Sequence, residues 1–157
     1  MDSRRPTLDP RPLSIVVNHT FRARYAETDA MGIVHHAEYL VWMEMGRTEF
    51  MRHFGFTYRE LEKMGVLLPV LEVSVHYKQS ARYDDEIRVS TWVEAMDRVR
   101  LKLAYKMERV EDNALLIEAS TTHTYMGPDG RLLRITHHTE AWKRLQAMIL
   151  PKENDAR

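Results

Sequence analysis

A short segment between residues 24 and 39 has residue types and spacing suited to acyl-transfer chemistry. Asp29 lies there in a small, polar stretch that ends at Gly32 and precedes a run of helical periodicity. A carboxylate in such a turn can act as a general base or as a nucleophile on an ester or thioester carbonyl. Spacing alone leaves open the alternative of a turn aspartate that bonds its own backbone.

The start of the following helix supplies a second chemical feature. The helix is predicted to begin near His36 or Ala37, and the preceding Ile33 and Val34 have no side-chain acceptor to cap it. The first amide groups of a helix need partners, and uncapped N–H groups at its positive end suit a developing oxyanion. The segment could therefore supply a catalytic carboxylate and an oxyanion donor within about ten residues.

Hydrophobic periodicity predicts the elements that must position this segment. Residues 21–25 alternate in polarity, as in a strand with one buried face. A long helix that ends at Gly55 and a short helix opened by a capping box of Thr57 and Glu60 should follow. The long helix carries one apolar stripe, formed by Tyr39, Met43, Gly46, Phe50 and Phe54.

The second half of the chain reads as strands. Four segments alternate in polarity: residues 71–77, 87–93, 99–107 and 115–125. A tight turn at 127–130, a short strand at 132–135 and a terminal helix at about 139–149 follow. This order predicts an α+β fold in which a curved antiparallel sheet wraps around the long helix.

The composition limits the class of protein. The 157 residues suit a single domain at 13–150, preceded by a loose arm at 1–12 and followed by a polar tail at 151–157. Lys+Arg and Asp+Glu both number 23, so the chain lacks the positive field of a non-specific nucleic-acid binder. It has no cysteine and no apolar run long enough for a membrane span or a secretory signal, so we expect a cytoplasmic protein.

The candidate segment resembles a known motif. The pattern Asp29-x-x-Gly32-x-Val34-x-His36-x-x-Tyr39 is followed by Trp42, Glu44 and Arg47, with Gly55 and the segment 81–87 fitting further on. It resembles the 4-hydroxybenzoyl-CoA thioesterase-like branch of the hotdog-fold superfamily, over about residues 18–148.

The resemblance implies a helix enclosed by a curved antiparallel sheet, paired into dimers and often tetramers, with active sites between subunits. It implies that Asp29 is general base or nucleophile and that the backbone N–H of His36 polarises the carbonyl oxygen. Gly32, Val34 and Tyr39 would belong to the substrate pocket. The expected reaction is hydrolysis of an acyl-CoA to a carboxylic acid and CoA, without a cofactor.

Several other side chains have two readings. Arg98, Arg100 and Lys102 alternate along a predicted strand, so all three face one side. Because the family tends to hold the CoA nucleotide at surface basic residues, Arg98 and Arg100 are candidates for contacts to the CoA phosphates. The alternative is an ordinary solvated sheet face. The His36 side chain could order water or the thioester, or make only local hydrogen bonds, and we expect His35 to be exposed.

Other carboxylates need weighing because another hotdog branch uses a helical glutamate. Glu44 and Glu49 are fallback candidates, although Glu44 could simply pair with Arg47 on the helix. Glu27 is at most a support for Asp29. No metal site is expected, because adjacent histidines such as His35-His36 and His137-His138 point apart on a strand.

Two rival functions share the expected fold. A hotdog hydratase would need an Asn-Pro-x-His-like run, which this chain lacks. A non-catalytic module that holds an acyl thioester is disfavoured by the intact Asp29. The acyl group, the choice between CoA and a carrier-protein thioester, and the choice between dimer and tetramer stay open.

Overall fold

The computed structural model describes residues 12–135 and 139–150, so the predicted arm up to residue 11 and the tail 151–157 lie outside the described residues. The strands are β1 (Val17–Arg22), β2 (Val70–Tyr77), β3 (Glu86–Met96), β4 (Arg100–Arg109) and β5 (Leu115–Thr124). They form one antiparallel sheet in the order β1-β3-β4-β5-β2. The helices are α1 (Glu38–His53), α2 (Tyr58–Lys63) and α3 (Glu140–Gln146), with a 3-10 turn at Tyr25–Glu27. The predicted α+β class is confirmed.

Helix α1 packs its apolar stripe against β1, β3 and β4. The closest approach is at Gly46, where a Cβ atom would lie 2.6 Å from Cγ1 of Val89 and 2.8 Å from Oγ1 of Thr91. A residue without a side chain is therefore needed for the helix to reach the sheet. The helix ends beside Gly55, whose φ of +81° reverses the chain as the sequence predicts.

Both short helices are capped by a threonine, as predicted for α2. The Thr57 hydroxyl accepts a hydrogen bond from the Glu60 amide at 3.3 Å, and the Thr139 hydroxyl accepts one from the Trp142 amide at 3.1 Å. Helix α3 stops at Gln146 and not near residue 149, because the chain then continues in tighter turns. In the described ranges, no helix is long and apolar enough to cross a bilayer.

Two predicted strand segments are wrong. Strand β1 ends at Arg22, and Tyr25 is 78% exposed in the 3-10 turn, because the Glu27 carboxylate accepts the Arg24 amide at 2.7 Å and turns the chain. Residues 132–135 contribute only an isolated bridge of Leu132 to Met126. The amide of Ile135 donates to the Arg98 carbonyl and not to a neighbouring strand.

The register gives the sheet two distinct ends. At one end, which we call the Tyr77 end, Tyr77 and Met107 are both in register with Ile117. At the other, the Arg100 end, Arg100 is in register with Thr124 of β5. These ends decide which predicted residues can meet.

Candidate active site

Asp29 lies at the start of a tight loop between the 3-10 turn and α1. Its amide donates to the Ile33 carbonyl at 2.8 Å, and the Gly32 amide donates back to the Asp29 carbonyl at 3.0 Å. Gly32 has a φ of +78°, which residues with a side chain rarely adopt. The carboxylate Oδ1 accepts the Met31 amide at 2.8 Å, so Asp29 does bond its own turn. Oδ2 has no partner among the described residues and stays free for chemistry.

The segment 79–82, which follows β2, anchors the far side of the loop. The Val34 amide donates to the Ala81 carbonyl at 2.9 Å, and the Ala81 amide donates to the Tyr39 hydroxyl oxygen at 2.9 Å. Arg109 braces this segment by donating to the Ser80 carbonyl at 2.9 Å. Burial raises the pKa of Tyr39, so its hydroxyl is kept protonated and neutral.

The start of α1 is only partly as predicted. The prediction that its first amides are unspent is wrong for Ala37, which donates to Nδ1 of His35 at 3.2 Å, and for Glu38, which donates to the His35 carbonyl at 3.0 Å. The exposed His35 thus takes up the amide of the N-cap residue Ala37, and no side chain caps α1 itself. In residues 12–135 and 139–150, no group accepts a hydrogen bond from the His36 amide.

An open cavity of about 260 Å³ joins these features. Four of the residues predicted from the sequence line it: Asp29, Val34, His36 and Tyr39. Met31 and five residues that the sequence analysis does not assign to the pocket complete the lining: Ile33, Tyr77, Lys78, Gln79 and Ser80. Gly32 does not line the cavity, so its part is to shape the loop.

The missed residues come mostly from the end of β2 and the segment beyond it. Alternation in residues 71–77 predicts a strand, but the local sequence does not indicate which loop lies beside the end of that strand. The only hint is that the segment starting at Ala81 belongs to the motif, and Ala81 proves to bond both Val34 and Tyr39.

Arg98 and Arg100 do not reach this cavity within one chain. The cavity is at the Tyr77 end, and Arg100 lies seven residues along β4 from Met107, roughly 24 Å away at the usual rise per residue. Lys102, the third member of the predicted row, pairs with Glu94 at 3.2 Å.

The fallback glutamates lie elsewhere. Glu44 and Glu49 border a separate cavity of about 380 Å³ on the outer face of α1, and Glu49 pairs with Arg52. The described residues contain no Glu44–Arg47 ion pair, because the Arg47 guanidinium turns inward over the ring of Tyr58 at 5.6 Å.

Glu27 is buried and hydrogen-bonded within the protein, so its role is structural. It is 4% exposed, and its Oε2 accepts the indole N–H of Trp42 at 2.7 Å. Its other oxygen accepts the Arg24 amide, which leaves it tied to the protein and away from the cavity. In the described ranges no three His, Cys, Asp or Glu side chains are grouped to hold a metal, and His137-His138 lie outside those ranges.

Comparison with known proteins assigns the family. The model of the thioesterase-like superfamily matches residues 23–153, most of the chain. The chain belongs to the thioesterase-like superfamily. The resemblance to hotdog-fold thioesterases stated from the motif is thereby confirmed.

Members of this superfamily with similar sequences bear related names. "Putative acyl-CoA thioesterase YneP" of Bacillus subtilis is 43% identical over 100 residues, covering 64% of this chain and 72% of that protein. Acyl-CoA thioester hydrolase YbgC of Escherichia coli is 34% identical over 107 residues, covering 68% and 79%. The structure of DHNA-CoA thioesterase from Staphylococcus aureus superposes with a TM-score of 0.76 at 31% identity, covering 90% of this chain and 95% of that one.

Proposed function

We propose that this protein is an acyl-CoA thioesterase with Asp29 as its catalytic carboxylate. One observation carries the proposal: Asp29, with a free Oδ2, and His36, with an unpaired amide, border the same cavity. Hydrolysis of a thioester needs a carboxylate and a donor for the carbonyl oxygen. The acyl-CoA thioesterase names of the similar proteins agree with this chemistry.

The reaction follows from these two groups. The His36 amide donates to the thioester carbonyl oxygen and stabilises the negative charge that develops there. Asp29 either takes a proton from the water that attacks the carbonyl carbon, or attacks that carbon itself to form an anhydride that water then opens. In both routes the C–S bond breaks, and the thiolate of CoA leaves and takes up a proton.

The other lining residues support binding of the acyl group. Val34 is buried at 3% exposure, and Ile33 and Met31 add apolar surface beside Asp29. A flexible methionine can adapt to acyl groups of different shape. Tyr39 lines the cavity with its ring, since its hydroxyl is engaged by Ala81.

We further propose that the chain forms a homo-oligomer through β2. Among the described residues only β5 pairs with β2, so the opposite edge of β2 has no partner strand. Leu71 is 54% exposed and Val73 is 44% exposed, which is a liability for an edge strand unless a partner covers it. Antiparallel pairing of β2 with its copy would cover this edge in a dimer, and two dimers could form a tetramer.

Such a dimer gives Arg98 and Arg100 a role. In an antiparallel β2–β2 pair the Arg100 end of one subunit lies beside the Tyr77 end of the other. Three strand spacings, about 14 Å, then separate β2 of one subunit from β4 of its partner. Arg98 and Arg100 of the partner subunit could hold the CoA phosphates while the thioester lies at Asp29.

CoA release tests the function. Wild type and Asp29→Asn would be assayed with benzoyl-, short-chain and long-chain acyl-CoAs, with a thiol reagent as readout. The chain has no cysteine and gives no background. Release by wild type and its loss in the variant are expected. Hydration of an enoyl-CoA without CoA release would instead identify a hydratase, and tight binding without release a binding module.

The dimer and the phosphate contacts have their own tests. Val73→Lys places a charge on the β2 edge and is expected to lower the molar mass measured by light scattering. Alanine at both Arg98 and Arg100 should raise KM for acyl-CoA but not for an acyl-pantetheine thioester, which lacks the nucleotide. An equal rise for both substrates would contradict the assignment of phosphate contacts.

A further inference from the structure

The backbone around the His36 amide is held from two sides. On one side, the Tyr77 hydroxyl donates to the His36 carbonyl at 2.8 Å. On the other, the His35 amide donates to the Glu27 carbonyl at 2.9 Å. We call these two bonds the His36 clamp. With both made, the His36 amide is the backbone donor in this turn left without an acceptor among residues 34–38.

The two halves of the clamp share one support. The indole N–H of Trp42 donates to the Glu27 carboxylate at 2.7 Å, and Trp42 is fully buried. The ring of Tyr39 contacts Trp42 edge-on at 5.0 Å and Tyr77 edge-on at 5.5 Å. This aromatic row joins the 3-10 turn to the end of β2, so the Glu27 and Tyr77 bonds rest on side chains that contact one another.

The clamp bears on catalysis because an oxyanion donor acts through its direction. An N–H that must reorient during the reaction loses much of its advantage over water. The His36 N–H shares its peptide with the His35 carbonyl, which accepts the Glu38 amide at 3.0 Å. Tyr77 holds the carbonyl of the next peptide, so its hydrogen bond fixes the backbone on the C-terminal side of the donor. The hydroxyl of Tyr77 is the one side-chain group in the described residues that binds this carbonyl.

We propose that Tyr77 is a positioning residue for the oxyanion donor, with Glu27 and Trp42 holding the opposite side. The proposal rests on the proposed thioesterase function for its kinetic consequence. Tyr77 acts through the His36 backbone, whereas Asp29 acts on the thioester itself. Loss of its hydroxyl therefore weakens transition-state stabilisation more than it weakens substrate binding.

The first test is Tyr77→Phe, which removes one oxygen atom and keeps the ring contact with Tyr39. We expect kcat to fall roughly tenfold with KM within twofold, the size of one lost hydrogen bond. Tyr83→Phe is the matched control, because Tyr83 is an exposed tyrosine that does not line the cavity. Trp42→Phe, which removes the donor to Glu27, should lower kcat in the same direction.

A second readout does not depend on turnover. In the substrate-free full chain, the ¹⁵N order parameter of the His36 amide should drop in Tyr77→Phe and stay unchanged in Tyr83→Phe. An unchanged order parameter would overturn the clamp, whether or not the protein hydrolyses acyl-CoA. Failure of wild type to release CoA would overturn the proposed function alone.

The kinetic result can also overturn the proposal. A raised KM with unchanged kcat in Tyr77→Phe would mean that the hydroxyl binds substrate directly from the cavity wall. Unchanged kcat and KM would mean that it has no part in the reaction. A lower kcat in Tyr77→Phe together with a lower His36 order parameter supports the positioning role.

Discussion

The Asp29 loop and a buried polar cluster under α1 differ in how their polar groups are paired and in how far water can reach them. In the loop, a carboxylate oxygen and a backbone amide are left unpaired beside an open cavity. The buried cluster consists of Arg47, Tyr58, Tyr105, Thr121 and His123. The Tyr105, Thr121 and His123 groups bond one another away from solvent, whereas Nε of Arg47 and the Tyr58 hydroxyl are buried without a hydrogen-bond partner among the described residues.

Hydrogen bonds in the buried cluster run in one direction. Nδ1 of His123 lies 3.2 Å from the Leu68 carbonyl, which can only accept, so Nδ1 carries the proton. Nε2 then accepts from the Thr121 hydroxyl at 2.8 Å, and Thr121 accepts from the Tyr105 hydroxyl at 2.8 Å. Nη1 of Arg47 also lies 3.5 Å from Nε2. A neutral His123 completes this arrangement, and a protonated one would break it.

The comparison of the two regions shows where polar groups without a hydrogen-bond partner are tolerated. A polar atom without a partner costs little when water can reach it, and costs about 1–3 kcal/mol when buried. A substrate can only be recognised by groups that are still free. The loop has its unpaired atoms at the surface of the cavity. In the cluster, Tyr105, Thr121 and His123 pair with one another and join β4 to β5, and only Nε of Arg47 and the Tyr58 hydroxyl carry the cost of an unpaired buried atom among the described residues.

Asp29→Asn is expected to have the largest effect of the substitutions, on turnover and not on stability. Turnover should fall on the order of 10²–10⁴-fold, because an amide is neither a base nor a nucleophile. The free energy of unfolding should stay within about 0.5 kcal/mol of wild type, since Asn can still accept the Met31 amide. Urea unfolding beside the CoA-release assay checks both. A large loss of stability would show that the loop is structural.

A pH dependence of stability is expected from His123. Burial, and then the Arg47 charge, lowers the pKa of His123 from its ordinary 6.5 to about 4. Between these values the unfolded chain binds the proton and the folded chain does not, so stability is complete above pH 6.5 and is lost as the pH falls toward 4. The slope is about 1.4 kcal/mol per pH unit.

Urea unfolding at several pH values measures this loss. His123→Gln removes the titrating group and should flatten the curve between pH 6.5 and 4 relative to wild type. Parallel curves for the two proteins would contradict the assignment of this slope to His123.

Thr121→Val tests the cluster without changing a charge. It removes the partner of both Tyr105 and His123 while keeping the shape of the side chain. We expect a loss of about 1–3 kcal/mol in the free energy of unfolding, because two buried groups are left unpaired. The kcat of the folded fraction should match wild type. A kcat loss as large as that of Asp29→Asn would mean that the two regions are not separate.

The smallest effect is expected at Glu44. Glu44→Gln changes a carboxylate on the outer face of α1, which lines a cavity that contains neither Asp29 nor His36. Activity should stay within about twofold of wild type and stability within about 0.5 kcal/mol. The same CoA-release assay serves as the measurement. A loss comparable to that of Asp29→Asn would move the catalytic role to the helix.

Much of the fold was predictable from the sequence because its signals are local. Thr57 and Gly55 mark helix ends by side-chain chemistry and backbone freedom, and alternation marks the four later strands. The errors fall where a distant group decides. Tyr25 leaves the strand because Glu27 is held by Trp42, fifteen residues away, and residues 132–135 have only one neighbour to bridge.

The candidate site was predictable in part. Asp29, Val34, His36 and Tyr39 lie within eleven residues, so one loop and one helix start bring them together. Tyr77 and Ser80 reach the same cavity only through the register of β2 with β5. The bond from the Ala37 amide to His35 was missed because histidine is not among the residues that usually accept at a helix start.

By itself, the sequence determined the α+β class, the loop that carries Asp29, and the helix start that presents the His36 amide, since each depends on neighbouring residues. Only the tertiary structure decided that Asp29 keeps one oxygen free, that Tyr77 holds the His36 carbonyl, and that Arg100 lies at the far end of the sheet. These three features depend on strand register and burial, which bring together residues far apart in the chain. Local spacing in the sequence therefore cannot predict them.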